Sequence, residues 1–207
     1  MHLPDGLLPV GMAVAGYAGC AALLGLSLRR IARRPDPGAA MPRAAMLTAV
    51  FFAASSLAIP VPPATVHPVL VGLMGVLLGW YAVPAILVGL FLQAVLFGHG
   101  GLTTLGLNGV ILGVPALLAW GAWRALGPGW PRLAALLAGT GSVVLALAIF
   151  AGLVLAGLPA ALDPGAERAA LAVLALAHLP LALAEGVIVL AVLQVLRRVE
   201  PGLLPRG

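Results

Sequence analysis

Long apolar runs, separated by short segments rich in proline, glycine and arginine, organise this chain of 207 residues. We distinguish seven runs by taking roughly 20 residues as the length of one helix that crosses a bilayer. They cover residues 9–28, 44–60, 67–80, 82–97, 103–123, 132–156 and 169–196. The intervening segments, among them PVPPATVHP and GHGGLTTLG, carry the residues that end helices and form loops. The pattern therefore predicts an all-α integral membrane protein with seven transmembrane helices in a single domain, 1–207.

The third and fourth runs together, residues 67–97, are short for two membrane crossings. We interpret them as a hairpin of two short helices that turns at GWYAVP. Counting them as one helix would reverse the orientation of every later segment. The arginine distribution favours the hairpin, because a single helix here would place Arg124 and Arg132 outside the cell.

The composition excludes a soluble protein, since 62% of the residues are hydrophobic, 8% are charged and the mean hydropathy is +1.15. The net charge of +5 comes from eleven arginines in a chain without lysine. These arginines lie in the gaps between apolar runs, so no nucleic-acid partner is predicted. If the N-terminus lies outside, ten of the eleven face the cytoplasm and only Arg168 lies outside. We therefore predict an external N-terminus and a cytoplasmic C-terminus.

The first six residues, MHLPDG, place a histidine directly after the initiator methionine. The Met1 amine, the His2 amide nitrogen and the His2 imidazole could bind one metal ion through two fused chelate rings. A second imidazole would complete a square plane of nitrogen ligands, a geometry typical of nickel(II) or copper(II). In the predicted topology His2, His67 and His99 all lie on the external side. We therefore hypothesise a metal site formed by Met1, His2 and His67, with a chance histidine at a flexible terminus as the alternative.

His67 precedes Pro68, and this order favours an extended backbone at His67 followed by the first turn of the third helix. At that position the positive end of the helix dipole would keep the His67 imidazole neutral. A helix from His67 to Trp80 rises only about 20 Å, against a hydrocarbon core of about 30 Å. If Trp80 marks the inner interface, His67 lies in a recess below the outer surface.

Other polar residues are candidates for supporting roles around this site. Asp5, His99 and Asn108 could surround the ligands, with Asn108 supporting the binding loops by hydrogen bonds. For His99 an ordinary loop histidine is the alternative. His178 and Glu185 lie seven residues apart on the last predicted helix, and hence on one face. We expect them to lie too deep to contact the metal and favour a structural or relay role.

Two other functions are compatible with a chain of this kind. Ser142 and His178 could form the dyad of an intramembrane serine protease, because their predicted depths match. However, a serine in a transmembrane helix usually hydrogen-bonds its own helix, and such a dyad leaves MHLPDG unexplained. A self-sufficient metal channel or secondary transporter is the other alternative. The chain has no lysine, hence no phosphate-binding P-loop, and we predict no enzymatic activity of its own.

Four segments resemble the CbiM/NikM family, the substrate-binding membrane subunits (S components) of energy-coupling-factor cobalt/nickel transporters. They are, in chain order, MHLPDG, ATVHPVLVGLMGVLLGW, FLQAVLFGHGGLTTLGLN and HLPLALAEGVIVLAVLQVL. The resemblance implies a metal held by the N-terminal amine, by the backbone nitrogen and side chain of the second residue, and by a histidine after the second span. These correspond to Met1, His2 and His67. It also implies a six-helix core preceded by an extra N-terminal helix, in agreement with the seven predicted runs.

The same resemblance implies capture of cobalt(II) or nickel(II) at the external face for ATP-driven import, with the metal as transported substrate and no organic cofactor. The implied partners are a coupling transmembrane subunit and two ATPase subunits, and the need for a small accessory membrane subunit stays open. The implied location is the bacterial or archaeal cell (inner) membrane. Ala45, Ala49 and Ala53, spaced every four residues, are then either a docking face for the coupling subunit or part of internal packing.

The chain departs from the family pattern after the Gly-Gly-Leu-Thr loop. Many relatives read Asn-x-Phe-Asn-Met there, whereas this chain reads LNGVILG, which keeps Asn108 and lacks the second Asn and the Met. The external loop varies in the family, so His99 is not inherited as a ligand. Cobalt and nickel both stay open as substrate, because the same nitrogen donors serve both.

Overall fold

Seven α-helices and one short β-hairpin form the regular structure of residues 2–61, 64–157 and 164–204, the part of the chain that the computed structural model describes. The helices are α1 (Val10–Ala32), α2 (Met41–Ser55), α3 (Val71–Leu78), α4 (Ala82–Phe97), α5 (Leu105–Leu126), α6 (Pro131–Gly157) and α7 (Pro164–Val199). Strands β1 (Ile59–Val61) and β2 (Ala64–Val66) pair antiparallel between α2 and α3. α5 lies centrally and packs against α1, α3, α4 and α6.

Five helical stretches of the described chain are long and apolar enough to cross a membrane. They are Val10–Ala32, Val71–Phe97, Leu105–Leu126, Pro131–Gly157 and Gly165–Val199. The stretch Val71–Phe97 combines α3 and α4, and α2 is apolar but has only 15 residues. The mostly helical membrane class predicted from the sequence is thus confirmed, and the chain is a multi-pass membrane protein.

The helix formed by the second apolar run ends earlier than predicted. α2 stops at Ser55, and the rest of the predicted run 44–60 leads into the hairpin of β1 and β2. Just after α2 the Ser56 hydroxyl donates to the Phe52 carbonyl at 2.7 Å, one turn back. The predicted helical end at residue 60 is therefore wrong. Proline does not continue a helix, and apolar β-branched residues suit a strand as well as a helix.

α3 is a short helix of eight residues, all of them buried, that ends where the chain reverses. Gly79 follows it with a φ of 56°, a left-handed conformation that glycine adopts without steric cost. A 3-10 turn, Gly79–Tyr81, then leads directly into α4. The reversal lies within GWYAVP, where the sequence predicts the turn of a hairpin.

Close backbone contacts hold α3 in the interior of the bundle. A Cβ at Gly72 would overlap the backbone of Ala138 on α6, and a Cβ at Gly75 would overlap the backbone of Ala116 on α5. Side chains at these positions would therefore push α3 away from both neighbours. Because His67 lies just before α3, this packing also limits where His67 lies.

One end of the bundle, which we call the arginine end, collects arginine and tryptophan side chains. Arg30 lies over the Trp80 ring at 5.6 Å, and Arg124 lies over the Trp120 ring at 5.2 Å. The two tryptophan rings contact each other with centroids 5.3 Å apart. Since Trp80 belongs to the turn between α3 and α4, that turn lies at the arginine end, and α4 runs back to the opposite end of the bundle.

Candidate metal centre

The N-terminal segment is fixed to the start of α5 by hydrogen bonds. The Leu3 N–H donates to Asn108 Oδ1 at 2.8 Å, and the Leu3 carbonyl accepts from Asn108 Nδ2 at 3.1 Å. The Thr104 hydroxyl also donates to the Leu3 carbonyl, at 2.6 Å. The Leu3 side chain is fully buried in the core. Both backbone polar groups of Leu3 are thereby paired, and this fixes the backbone next to His2.

Asp5 makes a second attachment, to the loop between α4 and α5. Its carboxylate accepts hydrogen bonds from the Leu102 N–H at 3.2 Å, the Thr103 N–H at 2.9 Å and the Thr103 hydroxyl at 2.5 Å. The bond from the Thr103 hydroxyl is the main cause that lowers the pKa of Asp5. Gly101 permits this approach, since a Cβ there would overlap the Asp5 carboxylate. Asp5 thus ties the N-terminal segment to the loop that carries His99.

These attachments place His2, His99 and His67 in one group, which we call the histidine cluster. His99 Nε2 lies 3.0 Å from His2 Nδ1, a hydrogen-bond distance, and the centroids of the two rings are 4.6 Å apart. The centroids of the His67 and His99 rings are 4.7 Å apart. His99 therefore lies between the other two rings. The cluster lies at the end of the bundle opposite the arginine end, because α4 leads from one to the other.

Two nitrogen atoms of the histidine cluster, His2 Nε2 and His67 Nδ1, are buried without a hydrogen-bond partner among the described residues. Burial lowers the pKa of His2 well below its ordinary value of 6.5, and it also lowers the pKa values of His67 and His99. The rings are close enough that each imidazolium would repel the next. Neutral imidazoles with a free nitrogen are good ligands for transition metals.

Side chains alone do not form a complete metal site in the described part of the chain. Among those residues, no three His, Cys, Asp or Glu side chains converge in an arrangement that could hold a metal ion. The ligand set expected from the sequence contains only two side chains, those of His2 and His67. Its other donors are the Met1 amine and a backbone nitrogen, and Met1 lies outside the described residues. The complete ligand set therefore stays a prediction.

The segment that carries His67 is held by the last helix. Oε1 of Glu185, a fully buried residue of α7, accepts a hydrogen bond of 2.5 Å from the Val69 N–H. Val69 follows His67 by two residues. The sequence predicts that Glu185 lies too deep in the membrane to be near the metal site. In the structure Glu185 nevertheless contacts the segment that carries His67, because this segment enters the bundle and meets α7. This contact agrees with the structural role favoured for Glu185.

α3 begins later than the sequence predicts. The sequence predicts Pro68 in the first turn of the third helix, but α3 starts at Val71, so this prediction is wrong. Leu70, directly before α3, has a φ of 48°, in the left-handed region that leucine rarely adopts. Val66 packs against Ala177 of α7. Contacts with α7, rather than helix formation, thus determine the path of residues 66–70.

Ser142 and His178, the residues of the serine protease alternative, each hydrogen-bond their own helix. The Ser142 hydroxyl donates to the Gly139 carbonyl at 2.8 Å within α6. His178 Nδ1 lies 2.8 Å from the Leu174 carbonyl oxygen within α7 and donates to it. The hydroxyl that would act as nucleophile is therefore directed at a backbone carbonyl.

The sequence analysis does not identify three residues that hydrogen-bond to the N-terminal segment, Leu102, Thr103 and Thr104. One signal was present, since Thr104 directly precedes α5, where threonine often caps a helix. Its hydroxyl instead donates to the Leu3 carbonyl, 101 positions away. Asp5 and Thr103 are similarly 98 positions apart, and no local pattern connects them.

Comparison with known proteins identifies the family. The profile of CbiM, described as a cobalt uptake substrate-specific transmembrane region, matches residues 2–203. The chain belongs to the CbiM family. The match includes the histidine cluster, Asn108 and Glu185, so all the contacts described above lie within the CbiM region.

Relatives of this CbiM-family chain are named as transport proteins. The cobalt transport protein CbiM of Sorangium cellulosum is 34% identical over 218 residues, which cover 100% of this chain and 95% of that protein. The fused nickel transport protein NikMN of Rhodobacter capsulatus is 37% identical over 170 residues, which cover 81% of this chain and 48% of that protein. A crystal structure of a truncated transition metal transporter matches with a TM-score of 0.83, covering 96% of this chain and 99% of that one. At 23% identity, this match shows that the two chains share a fold.

Proposed function

We propose that this CbiM-family protein is the substrate-specific membrane subunit of an energy-coupling-factor transporter, which captures cobalt(II) or nickel(II) at the external face for ATP-driven import. The observation that carries the proposal is the histidine cluster, in which the hydrogen-bonded N-terminal segment brings His2 to His99 and His67. Membership of the CbiM family supports metal uptake as the process. The names of the two relatives support cobalt and nickel as the substrates.

In this proposal Met1, His2 and His67 hold the metal ion through four nitrogen atoms. The Met1 amine, the His2 amide and His2 Nδ1 form two fused chelate rings, and His67 occupies the fourth corner of the plane. His2 Nδ1 is hydrogen-bonded to His99, so the His2 ring exchanges this bond for the metal. His99 then supports the site through the contact of its ring with the His2 and His67 rings, while Asp5 and Asn108 hold the backbone behind His2.

We further propose seven membrane crossings, with the histidine cluster outside and the arginine end in the cytoplasm. The hairpin of α3 and α4 and the short helix α2 count as crossings in this arrangement. Arg30, Arg34 and Arg124 support the orientation, since they lie together at the arginine end and positive side chains are retained on the cytoplasmic side. The proposed location is the cell (inner) membrane of a bacterium or archaeon.

Energy for uphill import comes from partner proteins, since the chain contains no lysine for a nucleotide-binding loop. The partners we propose are a coupling transmembrane subunit and two ATPase subunits, with or without a small accessory membrane subunit. The docking face for the coupling subunit is an apolar groove of about 620 Å³ between α1, α2 and α4, lined in part by Ala45 and Ala49. Ala53 is exposed on the same helix, and small side chains let a partner helix approach closely.

Radiometal uptake into vesicles tests this function. Vesicles that contain this protein alone should bind radioactive nickel or cobalt at saturable sites without accumulating it. Adding the coupling and ATPase subunits with internal ATP should make uptake concentrative, and an inactive ATPase variant should abolish it. Concentrative uptake by the single chain would contradict the proposal in favour of a secondary transporter. Failure of the purified chain with a native N-terminus to bind either metal would contradict metal capture itself.

A further inference from the structure

A polar cavity opens at the arginine end, far from the histidine cluster. It encloses about 280 Å³ among residues of α2, α3, α5, the segment after α1 and the C-terminal 3-10 turn Pro201–Leu203. Three arginines line it, Arg34, Arg43 and Arg124, and every other lining residue is uncharged. We call this cavity the arginine pocket.

The charge of Arg43 is not neutralised within the described part of the chain. Arg43 Nη1 donates to the Leu203 carbonyl at 2.7 Å, and its Nε is buried without a hydrogen-bond partner. A buried donor without a partner costs free energy unless a ligand or water satisfies it. The arrangement therefore leaves a charged donor at the pocket that an external acceptor could pair with.

The other two arginines are positioned by aromatic rings. Arg34 lies over the Tyr81 ring at 5.2 Å, and Arg124 lies over the Trp120 ring at 5.2 Å. Stacking on a ring orients a guanidinium but leaves its N–H donors free in the plane. Three like charges around one small cavity repel each other unless an anion lies between them.

The pocket lies where helices end. Arg34 follows α1, Arg43 is in the first turn of α2, and Arg124 is in the last turn of α5. The four tryptophans of the chain also belong to this end, in the α3–α4 turn, at the end of α5 and in the segment after it (Trp80, Trp120, Trp123 and Trp130). Tryptophan is enriched at the level of lipid headgroups. We therefore expect the arginine pocket to lie at the depth of the phosphate groups of the bilayer.

We propose that the arginine pocket binds the phosphate group of an anionic phospholipid. Guanidinium groups bind phosphate oxygens in pairs, and basic pockets between transmembrane helices suit anionic headgroups. The cavity, at about 280 Å³, is slightly smaller than the usual range for ligand sites, about 300–1,000 Å³, so it takes the headgroup and leaves the acyl chains in the bilayer. The bound phosphate neutralises repulsion among the three arginines and joins α1, α2 and α5 at this end.

Thermal unfolding of the full-length protein in a neutral detergent tests this inference. Added dioleoylphosphatidylglycerol should raise the unfolding temperature by about 5 °C at saturation, and dioleoylphosphatidylcholine should not. Arg43→Gln and Arg124→Gln should lose most of this shift. Arg29→Gln is the matched control, because Arg29 is an exposed arginine in the last turn of α1 that does not line the pocket.

Three results would overturn the inference. Equal stabilisation by both lipids would show that the headgroup charge is not recognised. Equal loss of the shift in Arg29→Gln would show that only the overall positive charge matters. Equal stabilisation by inorganic phosphate or glycerol phosphate would assign the pocket to soluble phosphate compounds. If Arg43→Gln folds poorly, the Arg124→Gln variant decides the test, because the Arg124 side chain is exposed and its replacement should not disturb folding. Native mass spectrometry then counts the phosphatidylglycerol molecules that each variant retains.

Discussion

Glu185 and Val69 are joined by a hydrogen bond of 2.5 Å, from the Val69 N–H to the Glu185 carboxylate. Glu185 lies within α7, and Val69 lies in the irregular segment before α3. Because Val69 follows His67 by two residues, this bond positions a proposed metal ligand from a distance. Glu185 is thus a positioning residue in the proposed site.

Replacing Glu185 should test this role. Glu185→Leu leaves the buried Val69 N–H unpaired, at a cost of about 1–3 kcal/mol, and should weaken nickel(II) binding about tenfold. Glu185→Gln keeps an oxygen acceptor and should bind nearly as well as the wild type. Calorimetric titration measures both. Ser142→Ala is the control, since Ser142 is buried in another helix and bonds only within it. If Glu185→Leu binds nickel(II) with unchanged affinity, Glu185 does not position the His67 segment for metal binding.

The N-terminal amine should be essential if it is a ligand. One glycine placed before Met1 removes the amine from the chelate and should weaken metal binding by about 100-fold or more. The same glycine added after Gly207 should have no effect. Intact mass spectrometry checks that Met1 is the first residue of the purified protein. Equal affinity of the two extended proteins would contradict the proposed ligand set.

Asn108 should matter for metal binding without touching the metal. Asn108→Ala removes both hydrogen bonds to Leu3 and should weaken binding about tenfold, because the backbone next to His2 is no longer held. Asn108→Asp keeps the acceptor for the Leu3 N–H and should fall between this variant and the wild type. Titration calorimetry gives the affinities, and hydrogen exchange at Leu3 reports the attachment. If Asn108→Ala shows rapid hydrogen exchange at the Leu3 amide but keeps the metal affinity of the wild type, Asn108 does not support the metal site.

Metal affinity should fall as the pH is lowered from about 8 to 5, because every proposed nitrogen ligand must be free of its proton to bind. Burial lowers the pKa values of His2, His67 and His99, so the imidazoles contribute to this fall only below their ordinary value of 6.5. These rings are neutral at pH 7, so their protons compete with the metal only as the pH approaches the lowered values. The other two ligands in the proposal, the Met1 amine and the His2 amide, release protons on binding at pH 7 as well. Stability without metal should fall as the pH drops from about 6.5 towards the lowered pKa values, because in this window the unfolded chain binds more protons than the folded one. Titrations from about pH 5 to 8 measure both effects. A flat affinity profile would indicate carboxylate or thioether ligands instead.

A bulky residue in the apolar groove should block assembly and spare metal capture. Ala49→Leu fills part of the proposed docking face, so copurification of the coupling subunit should be lost while nickel(II) affinity stays unchanged. Ala148→Leu, at an exposed alanine of α6, is the matched control and should assemble normally. Normal assembly of Ala49→Leu would place the coupling subunit on another face.

The lengths of the hydrophobic runs predict the bounds of several helices well. They fail where contacts with residues far away in the sequence determine the path of the backbone. The bounds of α1, α4, α5 and α6 lie within a few residues of the predicted runs, because each run is continuous and bounded by glycine, proline or arginine. The segment from residue 59 to residue 70 is different. Its apolar residues suit helix and strand equally, and its path is determined by the hairpin and by packing on α7.

The candidate site shows the same division. The chemistry of an amine followed by histidine indicates His2, and the order His-Pro draws attention to His67. The partners that hold them, such as Thr103 for Asp5 and Glu185 for Val69, act across long sequence separations. No local spacing rule connects such pairs. The sequence therefore indicates candidate ligands and the supporting residues Asp5 and Asn108, but not the residues to which Asp5 and Val69 are bonded.

The hydrogen bonds that hold the histidine cluster also determine when it can form during synthesis. Leu3 and Asn108 are 105 positions apart, and Val69 and Glu185 are 116 positions apart. The Leu3 backbone therefore lacks its Asn108 partner until the start of α5 has been translated, and the Val69 N–H lacks its Glu185 partner until α7 follows. Contacts of such separation form late, after the intervening chain has been inserted. A chain that stops before Glu185 would contain the three histidines of the cluster and six complete described helices, yet it would lack the bond that holds the His67 segment in the proposed site.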